Sequence, residues 1–395
     1  LHDLVVHNAR LHPCRDGAEA SGETSFAVSA GRIAAIGVPD DEPARERLDA
    51  RGAIVLPGFV DCHTHLCYAG NRMDEHARRL AGATYAEIAE AGGGIRSTVA
   101  AVAAASEDQL VAESLPRLKA LAREGATTVE IKSGYGLAPE HELKQLRAIR
   151  RLGELGGVRV VPTLLALHAL PPDTPRERYV KQVIEETLPA VAEEGLAGCV
   201  DVFCEHIAFT VEEMLAVFER ARELGLACRA HSDQLRNLGG TRAAAEFGAR
   251  SCDHLEYSQE TDIAALAAAG AAAVLLPGAF YFLRERQAPP VAALREAGVP
   301  IAIATDLNPG TSPVASPLTA LHLACTLFRL RPDEALLGFT RHAAAALGLD
   351  DAGSLAVGAR ADFTLWDIPG PAFLAYQLGG IAPGAVYVEG KRHDA

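Results

Sequence analysis

Residues 54–65 read IVLPGFVDCHTH: an apolar, β-branched run, an acidic residue, then two histidines one residue apart. The run lacks the polar–apolar alternation of a half-exposed strand. It reads instead as a strand covered on both faces, as in a parallel sheet. Positions i and i+2 of a strand face the same side, so His63 and His65 can address one point beyond its end. An H-x-H pair alone is a weak signal, and its weight depends on what other strands bring beside it.

Taking 54–61 as the first strand, seven further runs follow: TTVEIKS (127–133), VRVVPTLLAL (158–167), CVDVFCE (199–205), ACRAHSD (227–233), SCDHLEY (251–257), AAVLLPG (272–278) and PIAIATD (300–306). Between most of them lie helix-like segments rich in Ala, Leu and Glu, such as EDQLVAESLPRLKALAREG and AALAAAG. Eight strand–helix units in about 290 residues match an α/β fold, the (β/α)8 barrel of TIM type. Fewer or more would indicate an open, doubly wound sheet. The two ends differ from this pattern, carrying short strands separated by glycine turns, for example SFAVSAGRIAAIG and GSLAVGARADFTLWD. Each end is too small for a core of its own. The expected organisation is a barrel over 56–352 and a small composite β-sandwich domain from 1–55 and 353–395.

Composition narrows the partners. The 395 residues are 49% hydrophobic and 22% charged, ordinary for a globular enzyme. Thirty-seven Lys and Arg against 51 Asp and Glu give a net charge of -14, which repels phosphate backbones and anionic lipid. Nucleic acid and membrane are therefore not expected partners, and no apolar stretch of ~18 residues suits a membrane span. A small anionic substrate stays open, because one buried Arg can dominate the local potential. The opening LHDLVVHNARLHP lacks a basic segment followed by an apolar one, so no secretory signal is read there. Of eight cysteines, Cys62, Cys199, Cys204, Cys228 and Cys252 fall in or beside strand-like runs, and no C-x-x-C pair occurs. Reduced core thiols in a cytoplasmic protein are the expectation.

Active sites of such barrels lie at the C-terminal ends of the strands. His63 and His65 end the first strand, His168 follows the third, His231 ends the fifth, His254 the sixth and Asp306 the eighth. Three imidazoles and a carboxylate around one ion, with a position left for water, is the donor set of catalytic zinc. Isolated histidines such as His206, His322 and His342 read as surface or core residues.

PGFVDCHTH and IATDLNPG resemble the metal-binding signatures of the amidohydrolase superfamily. More narrowly, HTHLCYAGNR, AGGGIRST, EIKSGYGL, HSDQLRNLGG, CDHLEY and ATDLNPGTSP, in that order, are similar to the imidazolonepropionase family of histidine degradation. The resemblance implies hydrolysis of the cyclic amide of 4-imidazolone-5-propanoate to N-formimidoyl-L-glutamate. It implies His63, His65, His231 and Asp306 as ligands of one metal ion per chain, zinc or alternatively iron, since the set suits both. It also makes a homodimer a candidate assembly. Many relatives bridge two metals with a carboxylated Lys ending strand four. Here that strand ends FCEH, offering Glu205 and no Lys, so a single ion is expected. Lys132, ending strand two, is the nearest candidate for the opposite view.

Within this reading Asp306 takes a proton from the attacking water and returns it to the departing ring nitrogen. His254 hydrogen-bonds the carbonyl oxygen as negative charge builds there. Gln234 stands where some single-metal relatives carry the Glu of H-x-x-E. An amide cannot shuttle protons, so Gln234 is expected to hydrogen-bond the ring. Arg72 in AGNRMD is expected to clamp the propionate through two parallel bonds, with Tyr85 assisting. The resemblance adds Tyr135 and His168 to the pocket lining, and Asn308, Gly310 and Thr311 as contacts of substrate or product. AGGGIRST (91–98) lacks the G-K-[ST] ending of a phosphate cradle and is expected to be a loop near the barrel mouth. Two other readings stand beside this one. One is an amidohydrolase or deaminase of another cyclic amide or nucleobase-like ring, against which Gln234 and Arg72 weigh. The other is an inactive scaffold barrel, against which the full ligand set weighs.

Overall fold

The computed structural model describes residues 1–15, 22–39, 41–83, 87 and 93–394, and within them sixteen strands form two eight-stranded sheets. Five strands precede the barrel: β1 (His2–Leu11), β2 (Glu23–Ser29), β3 (Arg32–Ile36), β4 (Ala44–Asp49) and β5 (Ile54–Pro57). The barrel consists of β6 (Phe59–Asp61), β7 (Ala126–Lys132), β8 (Arg159–Leu167), β9 (Cys199–Cys204), β10 (Ala227–Ser232), β11 (Ser251–His254), β12 (Ala272–Leu275) and β13 (Ile301–Ile303). These eight pair in parallel, each with the next in sequence. Then β14 (Phe363–Trp366), β15 (Ala385–Val388) and β16 (Lys391–His393) return to the first sheet.

The run at 54–61, expected to be one barrel strand, is two. β5 pairs with β1 and β14 of the terminal sheet, whereas β6 pairs with β7 of the barrel. The chain changes sheets at Gly58, and apolar patterning could not show it because both halves are fully buried. Here the backbone runs against β7: a Cβ on Gly58 would lie 2.7 Å from Thr127 Cβ and overlap the rest of that side chain. Only a residue without a side chain passes.

In the terminal sheet the order is β16-β15-β14-β5-β1-β2-β3, with β4 also paired to β1, so the two ends of the chain meet where β14 lies antiparallel to β5. The sheet curls until its far strands face each other. Phe26 on β2 and Phe363 on β14 make an edge-on contact at 5.2 Å, and Ile33 N–H donates to Ala359 O at 2.9 Å. The curl encloses a core of its own, including Val6, Phe26, Ile33, Val55 and Phe363.

Helices cover the barrel. Glu107–Arg123 starts at Ser106 in a capping box with Gln109 and buries Leu110, Leu118 and Leu121 at helical spacing. AGGGIRST is not wholly a loop: Gly94 caps a helix over Ile95–Ala104, since IRSTVAAVAA contains no breaker. Residues 91 and 92, like Tyr85, lie outside the described residues. No helix among the described residues is long and apolar enough to cross a membrane.

The H-x-H segment closes the barrel. Asp306 N–H donates to His63 O and His65 N–H to Leu307 O, both at 3.0 Å, while Thr64 O accepts from Lys132 N–H at 2.9 Å. Residues 63–65 are thereby sewn between the ends of β7 and β13. Gly58→Ala, at the crossing between the sheets, should lower stability by about 1–3 kcal/mol, the usual cost of overpacking. Urea unfolding that leaves the variant as stable as the parent would disprove the close approach.

Candidate metal centre

Segment 63–65, the end of β10 and the turn beyond β13 bring His63, His65, His231 and Asp306 together, each no more than 4% exposed. His65 Nε2 lies 3.2 Å from His63 Nε2 and 3.4 Å from His231 Nε2, and Asp306 Oδ1 lies 3.5 Å from the Nε2 atoms of His63 and His65. These contacts are not hydrogen bonds between the rings. His63 Nδ1 is 2.7 Å from Asp253 Oδ2 and His231 Nδ1 is 3.0 Å from Asp201 Oδ2, which places their protons on Nδ1. Their Nε2 atoms therefore present lone pairs. Burial pushes the pKa of His63 and His65 well below the usual histidine range, so these rings are neutral. Burial also pushes Asp306 up to about 7, the penalty of taking a carboxylate out of water.

Converging lone pairs and a desolvated carboxylate call for a cation. Ligands ~2.0–2.1 Å from a tetrahedral ion stand about 3.3 Å apart, close to the separations found here. The residues fit a single His3Asp ion.

Beneath the centre the barrel interior is ionic, not apolar. Glu130 and Lys132 on β7, Asp201 on β9, Arg229 on β10 and Asp253 on β11 are all fully buried. Lys132 Nζ lies 2.8 Å from Glu130 and 2.9 Å from Asp201, and Arg229 lies 2.9 Å from Asp253 and 3.3 Å from Glu130. Each carboxylate that orients a histidine is thus held from behind by a cation. Asp201, His231 and Asp253 could by themselves form a second cation cluster, but the Lys132 ammonium already serves those carboxylates. Glu205 is turned elsewhere, accepting from the backbone N–H groups of His206, Leu235 and Arg236. Sequence reasoning missed Asp201 and Asp253. The available signal was a charged residue at alternate positions in strands otherwise buried on both faces.

The other expected site residues sit around the mouth. Arg72 donates from Nε to Thr98 Oγ1 at 3.0 Å, and its guanidinium fills the space where a side chain at Gly310 would be. Thr98 belongs to AGGGIRST, so that motif supports the arginine. Tyr135 lies 6.2 Å from the His65 ring and 5.3 Å from that of His168, and His168 stacks on His65 at 5.6 Å. His168 Nδ1 is 2.8 Å from Gly134 O, so it donates there and leaves Nε2 as an acceptor. Burial lowers its pKa to about 4. Glu142 accepts from the backbone of Gly134, Gly136 and Leu137 and fixes the loop carrying Tyr135.

Asn308 is spent within its own loop. Its Oδ1 accepts from Gly310 N–H, Thr311 N–H and Thr311 Oγ1, and its Nδ2 donates to Asp306 O at 2.7 Å. Those bonds hold Asp306 in a left-handed conformation, φ 51, that non-glycine residues seldom adopt. Gln234 is half-buried after β10. The His254 ring lies 5.5 Å from that of His231. Burial opposes a charge on His254, but Glu256, Asp306 and Asp253 outweigh it and raise its pKa.

Asp253→Asn replaces an acceptor bonded to both His63 and Arg229, and should weaken metal retention about 10–100-fold. Competition with a chromogenic chelator measures this, and unchanged affinity would remove Asp253 from the support of the site.

Comparison with known proteins agrees with this geometry. The model of the amidohydrolase family matches residues 54–392. An imidazolonepropionase of Polaromonas sp. (strain JS666) is 54% identical over 93% of this chain and 88% of its own. One from Cupriavidus taiwanensis is 52% identical over 99% and 95%. Among solved structures, a triazine hydrolase variant superposes with a TM-score of 0.77 at 19% identity, covering 98% of this chain and 94% of the other, a likeness of fold. By sequence and by the architecture of its centre, the chain belongs to the amidohydrolase family and, within it, to the imidazolonepropionases.

Proposed function

We propose that the chain hydrolyses the cyclic amide of 4-imidazolone-5-propanoate to N-formimidoyl-L-glutamate. The observation that carries this reading is the convergence of three imidazole Nε2 atoms and Asp306, with the Arg72 guanidinium lying against Gly310 of the Asp306 loop. Relatives named for this activity, alike over nearly the whole chain, support the substrate.

An ion held by His63, His65, His231 and Asp306, for which we propose one zinc per chain, would supply hydroxide at neutral pH and polarise the amide carbonyl. Asp306 accepts the proton lost by the attacking water. His254 donates a hydrogen bond to the carbonyl oxygen as it gains negative charge. As the bond between the carbonyl carbon and the ring nitrogen breaks, Asp306 returns its proton to that nitrogen. Arg72 binds the propionate carboxylate through its fork, and the Thr98 hydroxyl fixes the fork's direction. Tyr135 packs against the ring. His168 and Gln234 meet its polar edge, the neutral His168 Nε2 accepting from a ring N–H. Gly310 and Thr311 complete the carboxylate end, and Asn308 holds them in place.

Lys132, paired to Glu130 and Asp201, supports a count of one ion. None of the eight cysteines is in a disulfide, which supports a cytoplasmic setting.

Loss of imidazolone propionate followed spectrophotometrically, with formimidoylglutamate identified as product, tests the reading. Release of ammonia from nucleobase-like rings, with the imidazolone untouched, would replace it. Asp306→Ala should abolish turnover, and near-normal activity of that variant loaded with metal would refute the role of the carboxylate. Arg72→Ala should raise KM about 10–100-fold, the worth of a charged hydrogen-bonded contact, while metal analysis still finds one ion. An unchanged KM would place the propionate elsewhere.

A further inference from the structure

Glu256 is a buried carboxylate, 2% exposed, that the reaction above does not use. It stands two residues past the end of β11. The connecting His254 and Leu255 both have positive φ, 83 and 73, an uncommon pairing for residues with side chains. That turn brings Glu256 Oε1 to 3.9 Å from His254 Nδ1, with both side chains sealed from solvent. Among the described residues no Lys or Arg forms an ion pair with Glu256, and the neighbouring charge of Glu285 has the same sign. Its negative charge is therefore answered by the imidazole.

The hydrogen-bond inventory points the same way. His254 Nδ1 and Glu256 Oε2 are both buried without a hydrogen-bond partner. Such orphans are costly and are normally satisfied by each other or by water. Hydrogen bonds of a working site are often long before substrate arrives and shorten when it binds. Closing the gap to Oε1 satisfies the ring nitrogen and gives the carboxylate a donor.

We propose that Glu256 is a positioning residue for His254: its carboxylate accepts a hydrogen bond from Nδ1–H of the doubly protonated ring, fixes the ring, and leaves Nε2–H to meet the amide carbonyl oxygen. This rests on the role given to His254 above. A carboxylate behind an imidazole fixes the ring and steadies its cationic form; Asp253 and Asp201 orient His63 and His231 from the same side but leave those rings a lone pair at Nε2.

The test compares wild type, Glu256→Gln, His254→Gln and the double variant, all metal-loaded. In Glu256→Gln, kcat should fall about 10–100-fold with KM within about 2-fold of wild type and metal content unchanged. The double variant should be no slower than His254→Gln alone, because the carboxylate acts through the ring. In 15N-histidine spectra, the signal missing from His254→Gln should report an Nδ1-protonated ring in wild type and change in Glu256→Gln. A wild-type kcat in Glu256→Gln, multiplicative losses in the double variant, loss of metal, or an unaltered signal would each overturn the proposal. Should the amide prevent folding, Glu256→Asp, with its carboxylate one methylene farther away, is judged by the same outcomes. Failure of wild type to open the imidazolone would instead count against the proposed reaction, while the spectra still judge Glu256.

Discussion

Asp253 and Asp201 each grip an imidazole on one side and a cation on the other, and the centre depends on those two buried clasps. Asp253 joins His63 to Arg229, and Asp201 joins His231 to Lys132. Charges removed from water are costly unless paired and hydrogen-bonded, so none of these groups can move without stranding another. The resulting rigidity has a chemical use. Each ring keeps its proton on Nδ1 and turns its lone pair toward the point where the three rings and Asp306 converge. Packing alone would hold the rings in place but would not choose the tautomer.

The barrel converts that clasp into a site with a mouth. Its seam is sewn by residues 63–65, so His63 and His65 belong to the closure of the sheet and cannot drift from Asp306. Above the seam, the loops are pinned by side chains that have no evident role in chemistry. Glu142 fastens the loop of Tyr135, Asn308 that of Gly310 and Thr311, and Thr98 the guanidinium of Arg72. The Glu142 and Asn308 bonds go to backbone, which fixes loop shape at little entropic cost once the scaffold is folded.

Much of this was legible beforehand because it follows from local rules. The strand count came from apolar runs, the convergence of His63 and His65 from the two-residue repeat of a strand, and the location of His231, His254 and Asp306 from their place at strand ends. Gly58 escaped notice because a strand leaving one sheet and a strand entering another carry the same apolar signature. The helix at Ile95–Ala104 was hidden behind three glycines that look like a loop. The ionic layer was written in the strands as Glu130, Lys132, Asp201, Arg229 and Asp253, yet runs of this kind are read for hydrophobicity, and charged residues inside them look like exceptions.

The amino-acid order by itself determined the elements, their parallel arrangement and the residue types presented at the barrel rim, since these depend on neighbours within a few positions along the chain. Which carboxylate stands behind which imidazole, which cation stands behind that carboxylate, and that Arg72 meets Gly310 were decided by the closed barrel. Those contacts join residues such as His63 and Asp253, 190 positions apart. Pairing across that distance is set by the register of strands around a ring, and no local pattern encodes it.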